Sequence, residues 1–111
     1  MRYIWLKIFV MVVAFDFDGV LSSPEIQALA KKMIREKNDV WVVTKRNESF
    51  NRDVIKVCDK IGIPPQKVIY TNNQFKAEYI MGINADLYVD NITEEFDLIN
   101  SVTNCTCLLY I

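Results

Sequence analysis

From Ile8 to Phe15 the chain runs through eight consecutive apolar residues and then stops at Asp16-Phe17-Asp18-Gly19. A run of this length, rich in Val and aromatics, has the character of a strand buried on both faces, and such strands belong to parallel sheets covered by helices. Extended side chains repeat every two residues, so Asp16 and Asp18 are expected on the same side of the strand end. Two carboxylates held that close repel each other, and a bound cation or a raised pKa on one of them relieves the repulsion. Gly19 permits a tight turn with backbone N–H groups exposed near an anion held at the same place.

The remainder of the chain repeats the strand–helix alternation. Ser22-Ser23-Pro24-Glu25 carries the signals of a helix start, a hydroxyl cap with Pro in the first turn and Glu three residues after Ser22. Ile26, Leu29, Ala30, Met33 and Ile34 then fall on one helical face. Val40 to Thr44 reads as a second strand. Phe50, Val54, Val57, Cys58 and Ile61 mark a second amphipathic helix closed by Gly62 and the Pro64-Pro65 pair. Val68 to Tyr70 is a third strand, Asn72 to Met81 a short helix stopped by Gly82, and Leu87 to Val89 a fourth strand. Thr93-Glu94-Glu95 opens a last helix, and Thr106 to Ile111 closes the chain as a fifth strand.

Such alternation implies right-handed crossovers, and hence a three-layer α/β/α, Rossmann-like open parallel sheet of about five strands. At 111 residues and 51% apolar content the chain is expected to form one domain, with residues 1–7 as an N-terminal extension. Its formal charge of −1 provides no bulk attraction to nucleic acid or acidic lipid. With no histidine, Ser-His-Asp and Cys-His systems and His-ligated zinc are excluded. Cys58, Cys105 and Cys107 read as reduced, structural thiols, which points to the cytoplasm. The first apolar run is far short of the ~20 residues a membrane-spanning helix needs, so no membrane partner is expected.

In sheets of this kind ligands bind beyond the carboxyl ends of the strands, near the reversal of strand order. Asp16, Thr44 and Asp90 fall at those ends, with Lys76 just after the third strand. On these residues the chain resembles the haloacid dehalogenase-like superfamily of phosphatases, from about Phe9 to Ile99. The apolar strand ending in Asp16-Phe17-Asp18-Gly19-Val20 matches the family's first motif, and Val42-Val43-Thr44 its second. Lys76 stands for the lone lysine of the third, and Leu87-Tyr88-Val89-Asp90-Asn91 for the fourth, with Asn91 where many relatives carry a second Asp.

The resemblance implies a role for each residue. Asp16 would be the nucleophile that forms an aspartyl-phosphate, and Asp18 the acid that protonates the leaving oxygen and then activates water. Mg²⁺ held by Asp16, Asp90, the Asp18 backbone carbonyl and Asn91 would offset repulsion between carboxylate and phosphate. Thr44 and Lys76 would bind phosphoryl oxygens, with Gly19, Lys45 and Arg46 contacting substrate. Glu94 could also support the metal.

Relatives that act on small metabolites usually carry a cap domain, and here only Leu21 to Ser23 separate the first motif from its helix. A capless, open site suits a large phosphorylated substrate, such as a nucleic-acid end or a protein, or a nucleotide; otherwise a partner subunit, a second copy included, must exclude water. Two other classes compete. A response-regulator receiver needs an Asp after the third strand, where this chain has Tyr70-Thr71. A non-catalytic phosphate-binding module on the same fold would have no need of Asp18.

Overall fold

The computed structural model describes residues 10–111. The readings of residues 1–7 and of Ile8 and Phe9 lie outside the described residues. Five parallel strands form one sheet in the order β3-β2-β1-β4-β5, with β1 Val12–Phe15, β2 Asp39–Thr44, β3 Val68–Tyr70, β4 Leu87–Asp90 and β5 Thr106–Leu109. Successive strands step outward from β1 on one side and then return to its other side, so the order reverses between β1 and β4.

β1 is buried because each of its faces has its own core. Val13 and Phe15 join Val40, Val42, Val54, Cys58 and Ile61 on one face, under α1 (Pro24–Arg35) and α2 (Arg52–Ile61). Ala14 joins Val43, Ala77, Ile80, Tyr88 and Ile99 on the other, under α3 (Ala77–Gly82) and α4 (Phe96–Val102). This period of two, with both sides apolar, is why the sequence shows a continuous hydrophobic run rather than an alternating one.

Several boundaries differ from expectation, each for a local reason. The ladder starts at Val12 opposite Asp39, while Met11 lies before it and its N–H donates to the Asn38 side chain at 3.1 Å. Ser23, not Ser22, caps α1 by accepting from the Ile26 N–H at 3.5 Å; the Ser22 hydroxyl instead accepts from Gly19 N–H at 3.0 Å. Leu29 stays largely exposed on α1, and Phe50 sits 71% exposed in a separate 3₁₀ turn before α2. α3 begins at Ala77 rather than Asn72, since Asn72 and Asn73 adopt left-handed φ of 52° and 66°, which a helix cannot contain. α4 starts at Phe96 rather than Thr93, and β5 ends at Leu109 rather than Ile111. Gly62 closes α2 as expected, in a left-handed conformation with its N–H donating to the Cys58 carbonyl. Among the described residues no helix is long and apolar enough to cross a membrane.

Candidate functional site

At the carboxyl ends of β1 and β4, where the strand order reverses, a cavity of about 400 Å³ is lined by Asp16, Asp18, Gly19, Lys45, Lys76, Asp90, Asn91, Ile92, Glu94 and Glu95. The loop after β1 makes one wide turn over Phe17–Leu21, closed by the Leu21 N–H on the Asp16 carbonyl at 3.1 Å. Phe17, Val20 and Leu21 turn into the core and anchor the loop, which leaves Asp16 and Asp18 to face the cavity. Gly19 has φ 75°, and a Cβ added there would lie 2.3 Å from the Asn91 side-chain nitrogen. The left-handed φ favours glycine here, and any larger residue would also have to displace the Asn91 side chain.

The floor of the cavity is a buried polar chain. Lys76, at the N-terminal edge of α3, points its ammonium at Asp16 Oδ1 at 2.6 Å and at the Tyr88 hydroxyl at 2.8 Å. The Tyr88 hydroxyl in turn donates to Asp90 Oδ2, which is itself 3.7 Å from the Lys76 ammonium. Glu95 holds the Lys76 backbone, accepting from its N–H at 2.7 Å, and its other oxygen lies 3.5 Å from the Lys45 ammonium. Burial raises the Asp16 carboxyl to about 6; the Lys76 charge opposes this and the neighbouring Asp90 adds to it. Burial also pushes the Tyr88 hydroxyl up, with Asp90 reinforcing the shift, so it stays protonated and can donate.

Of the residues singled out in the sequence, Asp16, Asp18, Gly19, Lys45, Lys76, Asp90, Asn91 and Glu94 come together around this cavity. Thr44 and Arg46 are not among its lining. Thr44 is 1% exposed and its Oγ1 accepts from the Arg46 N–H at 3.3 Å. The expectation that Arg46 contacts substrate meets a physical obstacle, because its five side-chain N–H groups all donate to protein acceptors, on Asp18, Phe50 and Asp53. The Gly19 N–H, expected to face an anion, is taken by Ser22. Asp90 caps no helix; its Oδ1 accepts from the Ile92 N–H at 3.2 Å.

Tyr88, Glu95 and Asp53 were not singled out. Tyr88 carried a usable signal, being two residues before Asp90 on a strand and so on the same side. Asp53 carried none.

Among the described residues, no three Asp, Glu or Cys side chains converge closely enough to form a metal cage. Mg²⁺ does not require one, because it commonly takes one or two carboxylates and keeps several waters. Asp16 and Asp90, whose mutual repulsion contributes to the raised Asp16 carboxyl, make an all-oxygen pair of that kind. The cysteines take no part: burial pushes the Cys58 thiol up to about 11 and the Cys105 thiol to about 12, which keeps both protonated. Searches against protein-family models, curated proteins and solved structures found no match to this chain.

Proposed function

We propose that the chain is a magnesium-dependent phosphomonoester hydrolase working through an aspartyl-phosphate, as its resemblance to the haloacid dehalogenase-like phosphatases implies. The observation that carries this reading is the Asp16–Lys76 pair, a buried carboxylate held 2.6 Å from an ammonium at the switch point of a parallel sheet, on the wall of an open cavity. Phosphoryl transfer asks a protein mainly to place a nucleophile and neutralise charge, and this pair with Asp90 and Lys45 can do both.

In this reading Asp16 attacks phosphorus, and the bond to the leaving oxygen breaks with its electron pair going to that oxygen. Asp18 supplies the proton there, then takes one from the water that attacks phosphorus and releases Asp16. Lys76 keeps the attacking carboxylate in place and stays beside the phosphoryl group. Asp16, Asp90, the Asp18 carbonyl and Asn91 would hold Mg²⁺, which would supply the charge neutralisation that lets a carboxylate approach a phosphate. With only a short loop between β1 and α1, a substrate protruding far from the cavity is accommodated, so a nucleic-acid end, a phosphoprotein or a nucleotide fits. Lys45 is the basic side chain left to meet it. A cytoplasmic setting suits the free thiols.

One observation favours the second reading, a non-catalytic phosphate-binding module. Both Asp18 oxygens already accept from Arg46, which serves architecture as readily as proton transfer. Hydrolysis of p-nitrophenyl phosphate separates the two. It is expected with Mg²⁺, to vanish on chelation, and to fall at least tenfold in kcat for Asp16→Asn, about 1.4 kcal/mol in barrier height, while tungstate binding survives. Turnover that persists in excess chelator removes the metal from the mechanism. Tungstate binding without any turnover supports the binding module.

A further inference from the structure

Arg46 lies two residues beyond β2, and its guanidinium is held from four sides. Nε and one terminal nitrogen reach the two oxygens of Asp18 at 3.0 and 2.6 Å. Both terminal nitrogens donate to the carboxylate of Asp53 in the first turn of α2, and one also donates to the Phe50 carbonyl at 2.9 Å. The face of the group lies over the Phe17 ring, 5.0 Å from its centroid.

An ordinary surface ion pair contributes little, because two long side chains must be held still in water. Here the planar fork meets two carboxylates, a carbonyl and a ring at once, a set of restraints that leaves it one orientation. Asp18 has no such restraint of its own. Its side chain is 60% exposed, and among the described residues its only side-chain hydrogen bonds come from Arg46. The direction of the Asp18 carboxylate is therefore set by a residue 28 positions later in the chain.

We propose that Arg46, braced by Asp53 and Phe17, is the positioning residue for Asp18. The proposal rests on the phosphatase reading, in which Asp18 works at the leaving oxygen. Proton transfer requires the carboxyl within hydrogen-bond reach of that oxygen, and an unrestrained aspartate on an exposed turn spends most of its time elsewhere. Arg46 thus acts on turnover through Asp18, with no donor left to bind substrate.

The test is kinetics on an alkyl phosphate, whose leaving oxygen needs its proton, at saturating Mg²⁺, for Arg46→Gln, Arg46→Lys, Asp18→Asn and the Arg46→Gln/Asp18→Asn double variant. Arg46→Gln is expected to lower kcat roughly tenfold, part of the ~10²–10⁴ that acid–base catalysis contributes, with KM within about threefold of wild type. Lysine should restore part of the loss, since a point charge holds one oxygen but not both. In the Asp18→Asn background the Arg46 change should add nothing. Losses that multiply, or a loss confined to KM, overturn the proposal and make Arg46 structural or a substrate contact. Nitrogen-15 NMR of the Arg46 Nε–H reads the pairing without any activity: a slowly exchanging signal that moves in Asp18→Asn is expected. Its absence overturns the proposal whatever the rates, whereas its presence in a protein without turnover sinks the phosphatase reading and leaves the placement of Asp18 standing.

Discussion

The Lys76 ammonium lies 2.6 Å from Asp16 Oδ1, and the lysine side chain is only 3% exposed. A cation this deeply buried is expensive unless compensated, and its compensation comes from three groups on two adjacent strand ends: Asp16, Tyr88 and Asp90. The site is thus also a structural element that joins α3 to the centre of the sheet.

It follows that Lys76→Met should destabilise the fold by about 3–5 kcal/mol at neutral pH, because two facing carboxylates lose their shared counter-charge. Adding Asp16→Asn should recover part of that loss, giving a double variant more stable than the sum of the singles. Urea denaturation of the four proteins measures both. Additive losses would mean that the two side chains do not interact in solution.

Tyr88→Phe isolates one hydroxyl. The ring is fully buried and packs edge-on against Phe96 with centroids 6.3 Å apart, so phenylalanine keeps the packing while Lys76 and Asp90 each lose a partner. The expected cost is about 1–3 kcal/mol in stability. If Asp90 holds Mg²⁺, the variant should also bind the ion roughly tenfold more weakly by titration calorimetry, as when other partners of metal-holding groups are removed. Unchanged stability would show that the hydroxyl is not bridging.

Acidity offers a third check. The Asp16 carboxyl stands at about 6 in the fold against 3.8 in the open chain, chiefly through burial. The folded protein then binds more protons between these values, so this group stabilises the fold fully below about pH 4, and the contribution is lost as pH rises to about 6. The stability of wild type relative to Asp16→Asn should therefore fall by up to about 3 kcal/mol from pH 4 to pH 7 in metal-free buffer. A difference that stays flat would place the Asp16 carboxyl in its ordinary range.

What the sequence made legible follows from what periodicity encodes. The apolar runs ending at Phe15, Thr44, Tyr70 and Val89 marked strands, and parallel-sheet topology brought Asp16, Lys76 and Asp90 to one rim. Positions where a few backbone angles decide were not legible. Asn72 and Asn73, both left-handed, delay α3 to Ala77, and nothing in hydrophobic spacing announces this. Nor does a pattern mark the Asp18–Arg46–Asp53 cluster, because its members lie in three different segments and meet only once the sheet has formed. Arg46 reads as a substrate contact because charge is visible in a sequence and its protein partners are not.

The last prediction concerns Asp18, whose role separates an enzyme from a binding module. If Asp18 is the acid at the leaving oxygen, Asp18→Asn should slow hydrolysis most where the departing group is a strong base. An alkoxide must be protonated as it leaves, whereas a nitrophenolate is stable enough to leave as an anion. The ratio of aryl to alkyl phosphate rates should therefore widen in the variant, by as much as the ~10²–10⁴ that acid–base catalysis supplies. Equal slowing of both substrates would assign Asp18 to holding the loop, consistent with its bidentate bond to Arg46. No slowing of either would leave Asp18 without a part in turnover, and the proton at the leaving oxygen would then have to come from another group.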